Sequence, residues 1–207
     1  MAPQPMTNLA REKFIQDSLN ESAETKKKIL AQCAGEISLA VDLVIKALKK
    51  KKKILLCGNG GSAADCQHIA TEFVIRMSHD FERPAIPAIA LTTDSSNLTA
   101  GSNDLGFENV FARSIEALGN SGDILVALST SGNSKNINRA LRKAREKGLV
   151  TIGLLGKDGG RAKALCDHSI VVPAMDTQRI QEGHITIGHI ICGLVEREIY
   201  GPTVAGQ

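Results

Sequence analysis

The chain has 207 residues, 25 basic and 22 acidic side chains, and a formal net charge of +3. That length suits one α/β domain large enough to bury its core without disulfide staples. The charge is too balanced to argue for nucleic acid or an anionic membrane as partner, and neither is expected. The five cysteines are odd in number and widely spaced, with no C-x-x-C, so they read as free thiols of a reducing cytoplasm. The N-terminus shows no charged region followed by an apolar one, and no apolar run nears the roughly 18 residues of a membrane span. A soluble, cytoplasmic setting is expected.

From the N-terminus, residues 7–51 contain no proline and only Gly35. Apolar residues recur at helical spacing from Ile29 through Cys33, Ile37, Ala40 and Leu48. Two helices are predicted, 7–20 and 22–50, broken at Asn20-Glu21-Ser22. Such an arm must bury its apolar stripe on its own domain or on a partner subunit. The run Lys49 to Lys53 reads as a solvated helix end, where cations suit the dipole, because no aromatic or further basic residue reinforces it as a nucleic-acid patch.

Beyond Lys53, short continuous apolar runs alternate with helical stretches. Strands are predicted at Ile54–Cys57, Ile86–Leu91, Ile124–Leu128, Val150–Leu155 and Ser169–Val172. Helices are predicted at 62–78, 107–118, 134–147, 159–165 and 177–199. Continuous rather than alternating apolar strands suit a parallel sheet buried on both faces. The fold class is therefore α/β, a three-layer sandwich on a five-stranded parallel sheet of flavodoxin-like order 2-1-3-4-5. One domain spans 1–207, with N-terminal helices over 7–50 and an α/β core over 53–200. The polar stretch 92–106, "TTDSSNLTAGSNDLG", reads as a long functional loop holding one helical turn.

Ligands of open α/β sheets bind beyond the strand C-termini, where strand order reverses. After the first strand comes Gly58-Asn59-Gly60-Gly61-Ser62-Ala63, which fits G-x-G-x-x-A, with Asp94 as a possible ribose ligand. After the third comes Ser129-Thr130-Ser131-Gly132-Asn133-Ser134, four hydroxyls at the start of a helix. Helix N-termini bind anions through free N–H groups, whereas a simple N-cap needs one serine. A dinucleotide has no use for a second hydroxyl cradle. A small phosphorylated ligand between two helix starts does, so a sugar phosphate is preferred to a nicotinamide cofactor.

His68 and Glu72 lie one helical turn apart, a spacing for two metal ligands or an acid–base pair, or simply for a surface hydrogen bond. In the last helix, "RIQEGHITIGHII" places Gln181, Ile185 and His189 on one row. His184 falls near the stripe of Ile180, Ile187, Ile191 and Leu194 and reads as a satisfied, semi-buried histidine. His79 and His168 read as loop and strand-start residues.

Taken together, "CGNGGSAADCQHIATEF", "GSNDLGFENVFAR", "ALSTSGNS", "GLLGKDGG" and "RIQEGHITIGHI" resemble the bacterial phosphoheptose (sedoheptulose 7-phosphate) isomerases of the sugar isomerase, or SIS, superfamily. The resemblance runs over residues 7–200. It implies isomerisation of D-sedoheptulose 7-phosphate to D-glycero-D-manno-heptose 7-phosphate, toward ADP-heptose and lipopolysaccharide core, in a cytoplasmic homotetramer with active sites between subunits. By the same resemblance, substrate is bound by Asn59, Gly60, Gly61, Ser62, Glu72, Asn103, Asp104, Ser129, Thr130, Ser131, Ser134 and Gln181. Glu72 and His189 are the implied catalytic residues. One zinc ion per subunit is implied on His68, Glu72, Gln181 and His189. Gln178 stands where the family commonly has aspartate. The alternative from related SIS proteins is a non-enzymatic tetramer that binds the replication initiator. A scaffold of that kind has no need of the His68/Glu72/Gln181/His189 set.

Overall fold

The computed structural model describes residues 6–201; the first five and last six residues assigned to the domain above lie outside them. The elements alternate as expected: α1 (Asn8–Lys49), β1 (Ile54–Cys57), α2 (Gly61–Val74), β2 (Ala88–Ala90), α3 (Ser95–Leu105), a 3-10 turn (Phe107–Asn109), α4 (Val110–Leu118), β3 (Ile124–Ser129), α5 (Lys135–Glu146), β4 (Val150–Gly156), α6 (Gly160–Lys163), β5 (His168–Val172) and α7 (Thr177–Tyr200). All strand pairs are parallel, in the order β2-β1-β3-β4-β5. The expected α/β sandwich and its strand order are present.

Strand parity divides the core in two. Ile54, Leu56, Ile124, Val126, Leu128, Ile152, Leu154, Ile170 and Val172 face α1, α2 and α7. The alternate residues Leu55, Cys57, Leu125, Ala127 and Leu155 face α4, α5 and Ala162 of α6. Apolar residues at successive positions serve both layers, which explains why these strands read as continuous runs. Reversal of strand order between β1 and β3 opens the crevice between the starts of α2 and α5.

Three sequence expectations are corrected. The N-terminal arm is one 42-residue helix, not two. Asn20 is a weak helix former, but neither glycine nor proline stops the helix there. Thr25 Oγ1 donates to the Glu21 carbonyl across the expected break, and the Arg179 guanidinium reaches from α7 to the Ser18 carbonyl. The expected loop at 92–106 is mostly helix α3. Asp94 caps it, accepting from the Asn97 N–H at 3.0 Å. Thr99 and Ser102 hydroxyls donate back to the Ser95 and Leu98 carbonyls, so their side chains are satisfied within the helix and do not divert the backbone into a turn. Helix α2 stops at Val74, four residues short of the expected 62–78.

The lysine run is solvated except at its end. Lys53 pairs with buried Asp123, which also accepts the backbone N–H groups of Lys53 and Asn120. These bonds hold the Asp123 carboxyl below its ordinary value against the burial that would raise it. They register β1 against β3 just before the two strands that form the crevice.

Candidate active site

The two loops expected to face each other do so. The Asn59 and Asn136 carboxamides exchange two hydrogen bonds across the crevice, at 2.9 and 2.7 Å. Gly60 sits at φ +55 and ψ −121 as the N-cap of α2, a conformation for glycine alone. A Cβ on Gly61 would fall 2.5 Å from the Gln181 amide nitrogen, so the bare backbone makes room for α7. Ser62 is buried behind them.

In the β3–α5 loop the Ser129 hydroxyl accepts from the Gly132 N–H at 3.1 Å, and the Ser131 hydroxyl from Asn133 at 3.2 Å. Two of the four hydroxyls thus shape the turn. Ser134 is the N-cap of α5 but makes no side-chain cap bond, and Thr130 is half-buried beside it. Gly132 has φ +62, and a Cβ there would lie 1.9 Å from the Gly159 carbonyl. The loop is thereby packed onto the start of α6, and it leads into the N-terminus of α5.

Helices α2 and α7 run alongside one another, and Gly188 abuts Ile69. This packing brings His68 and His189, 121 residues apart, to 2.7 Å between their Nε2 atoms. The rings are tilted by 56°, with centroids 4.9 Å apart. Glu72 Oε1 is 3.4 Å from His68 Nε2. One ligand atom from each of the three residues lies within 4.8 Å of the others. Two imidazole nitrogens and a carboxylate are a donor set suited to zinc, so these residues fit a metal ion. Gln181 stands apart from this trio. It precedes His189 by eight residues, about 12 Å along the axis, and packs on Gly61. Asn103 and Asp104 are exposed at the end of α3, where the Asn103 amide donates to Asp104.

Asp65 is a site residue that motif spacing did not single out. It lies one turn before His68 on the same face of α2, and its Oδ2 is buried without a partner. Burial raises its pKa, with His68 opposing the shift. The i, i+3, i+7 spacing of Asp65, His68 and Glu72 is the signal that could have found it. Asn136 carries no such signal: nothing local marks the residue after Lys135 as the partner of Asn59.

His184 is fully buried. Its Nε2 meets the Leu155 carbonyl at 2.9 Å, while Nδ1 has no partner. Burial pushes its pKa down to about 4. Leu194 is not part of the buried stripe; Val195 takes that place. Asp94, the possible ribose ligand, is occupied as the α3 cap.

A parallel sheet with opposed helix starts at its switch point is a frame for ligand binding, and a sequence model of the SIS domain matches residues 19–156. A phosphoheptose isomerase of Clostridium acetobutylicum is 53% identical over 193 residues, 92% of this chain and 97% of that protein. The solved phosphoheptose isomerase of Neisseria gonorrhoeae is 40% identical with a TM-score of 0.84, covering 89% of this chain and 98% of that one. That of Francisella tularensis is 33% identical with a TM-score of 0.87, covering 93% and 100%. The chain belongs to the SIS-domain family, in its phosphoheptose isomerase branch.

Proposed function

We infer that the chain is a sugar-phosphate aldose–ketose isomerase that converts D-sedoheptulose 7-phosphate to D-glycero-D-manno-heptose 7-phosphate. The observation that carries this reading is the convergence of His68, Glu72 and His189 from α2 and α7 beside the paired loops. The relatives named above support it, and none of them is named as an initiator-binding protein.

Isomerisation moves a proton between adjacent carbons through an enediol. It needs a base for the carbon-bound proton, an acid at the neighbouring position, and charge stabilisation for the developing oxyanion. In the proposed assignment Glu72 takes the proton and His189 exchanges a proton at the other end. Gln181, Asn103 and Asp104 orient hydroxyls. Asn59, Gly60, Gly61 and Ser62 line the sugar, and Ser129, Thr130, Ser131 and Ser134 hold the phosphate with the α5 N-terminus. His68, Glu72 and His189 would hold a zinc ion, which would supply positive charge for the substrate oxygens; Gln181, the fourth ligand implied by the family resemblance, packs instead on Gly61.

The exposed Leu9, Phe14, Ile15 and Leu19 on the first half of α1 support a homotetramer, with Asn103 and Asp104 completing sites between subunits. Five free cysteines, four of them buried, suit a cytoplasmic setting. Supply of ADP-heptose for lipopolysaccharide core is the proposed role. Incubation with sedoheptulose 7-phosphate, with and without a chelator, is expected to show aldoheptose 7-phosphate formed and the rate falling on metal removal. Absence of turnover together with tight binding to a replication initiator would reverse the assignment.

A further inference from the structure

The connection between α2 and β2, residues 75–87, is anchored by an ion pair buried at both ends. Arg83 Nε lies 2.6 Å from Glu196 Oε1, and each side chain is 1% exposed. Glu196 also accepts the backbone N–H groups of Met77 at 3.2 Å and Ser78 at 3.0 Å. Arg83 turns its remaining donors to the Pro84 carbonyl at 2.9 Å and the Glu72 carbonyl at 2.8 Å. Removing two charges from water is costly, so such a pair is weak evidence of a purely stabilising role.

Two arms of this network lead to the candidate site. Glu72 lies in the last turn of α2, where carbonyls have no helical partner. The Ile75 N–H closes on Thr71 and the Ile86 N–H on Phe73, which leaves the Glu72 carbonyl to Arg83. Glu196 follows His189 by two turns of α7 and so lies on the same face. Met77 and Ser78, which Glu196 holds, line a cavity of about 430 Å³ together with His189.

We propose that Arg83 and Glu196 are positioning residues that lock the Glu72-bearing turn of α2 to the His189-bearing helix α7. The inference rests on the reading of Glu72 as the base. A lysine at 83 keeps the charge but loses the planar fork that reaches three partners at once.

The test pairs two variants with Glu72→Gln as reference. In Arg83→Met/Glu196→Leu both buried charges are removed together. The expected result is a folded protein with KM within about twofold and kcat lowered about 100-fold, the cost of misplacing a reacting group by about 1 Å. Zinc affinity, read by competition with a chromophoric chelator, is expected to fall about tenfold. Arg83→Lys is expected to fold and to stay at least about tenfold down in kcat. Wild-type kcat and zinc affinity in a folded double variant would overturn the proposal. If the double variant does not fold, wild-type kcat in Arg83→Lys overturns it. An active Glu72→Gln would defeat the base assignment itself. An inactive Glu72→Gln beside a fully active double variant would defeat the positioning role alone.

Discussion

The switch-point crevice and the α2–α7 face are built on different principles. The crevice is closed within one chain by short-range chemistry: two loops, each placed by the strand before it, joined by the Asn59–Asn136 amide pair. The α2–α7 face is more open and joins distant parts of the chain. His68 is 49% exposed and Glu72 19%, and the groups meet where two helices far apart in sequence pack together. In the proposed reaction the crevice binds the phosphate and the helical face moves the proton. Loop substitutions are therefore expected to weaken binding, and substitutions on the helical face to slow chemistry.

The largest effect is expected from Glu72→Gln, which keeps size and polarity but removes the proposed base. We predict a fall in kcat of about 1,000-fold with unchanged thermal stability, measured by steady-state kinetics and melting. A loss smaller than tenfold would move the chemistry away from the helical face.

Next comes a pH effect that acts on both regions, because His184 bolts α7 to the end of β4 through Leu155. The buried ring has a pKa of about 4 when folded and about 6.5 when unfolded. Between these values the unfolded chain binds the extra proton, so stability is constant above about pH 7 and declines as pH falls toward 4. The full loss is about 3 kcal/mol. Urea unfolding at pH 7.5, 5.5 and 4 should show it, and His184→Gln should show a shallower decline. Equal slopes in the two proteins would exclude His184 as the source.

A smaller effect isolates the crevice. Ser134→Ala removes one hydroxyl from the proposed phosphate cradle, a bond to a charged group worth about 1.5–3 kcal/mol. KM is expected to rise at least about tenfold with kcat nearly unchanged. An equal fall in kcat would erase the division between binding and chemistry. The smallest effect concerns the thiols. Cys57, Cys66 and Cys192 are raised by burial, and half-buried Cys166 is pushed up to about 12. Ellman's reagent should titrate less than one thiol per native chain and five after denaturation. Rapid native labelling of Cys192 would mean that α7 opens away from α2.

The same contrast explains what can be read in the sequence. Continuous apolar strands and loops punctuated by glycine and hydroxyl residues are local signals, so the sheet and the crevice are legible in the amino-acid order itself. Asn59 and Asn136 pair across 77 residues, and no local pattern announces that. His68 and Glu72 are legible as a pair by spacing, but their meeting with His189 comes only through family resemblance. Helix α3 is hidden because Ser, Thr and Asn normally mark turns, and here their side chains are satisfied inside a helix capped by Asp94. The unbroken α1 is hidden because Asn20 and Ser22 are weak helix formers, while no glycine or proline stops the helix there and Arg179 reaches the Ser18 carbonyl from α7. The Arg83–Glu196 lock joins 113 residues of chain separation, and neither residue sits in a recognisable motif.

In the proposed reaction the α2–α7 face moves a substrate proton. Deuterium uptake from heavy water into sedoheptulose 7-phosphate, followed by NMR with the native protein and with Glu72→Gln, reads that step itself. Deuterium is expected at the isomerising carbon with the native protein and none above background with the variant. Equal uptake with both proteins would contradict the proposed reaction.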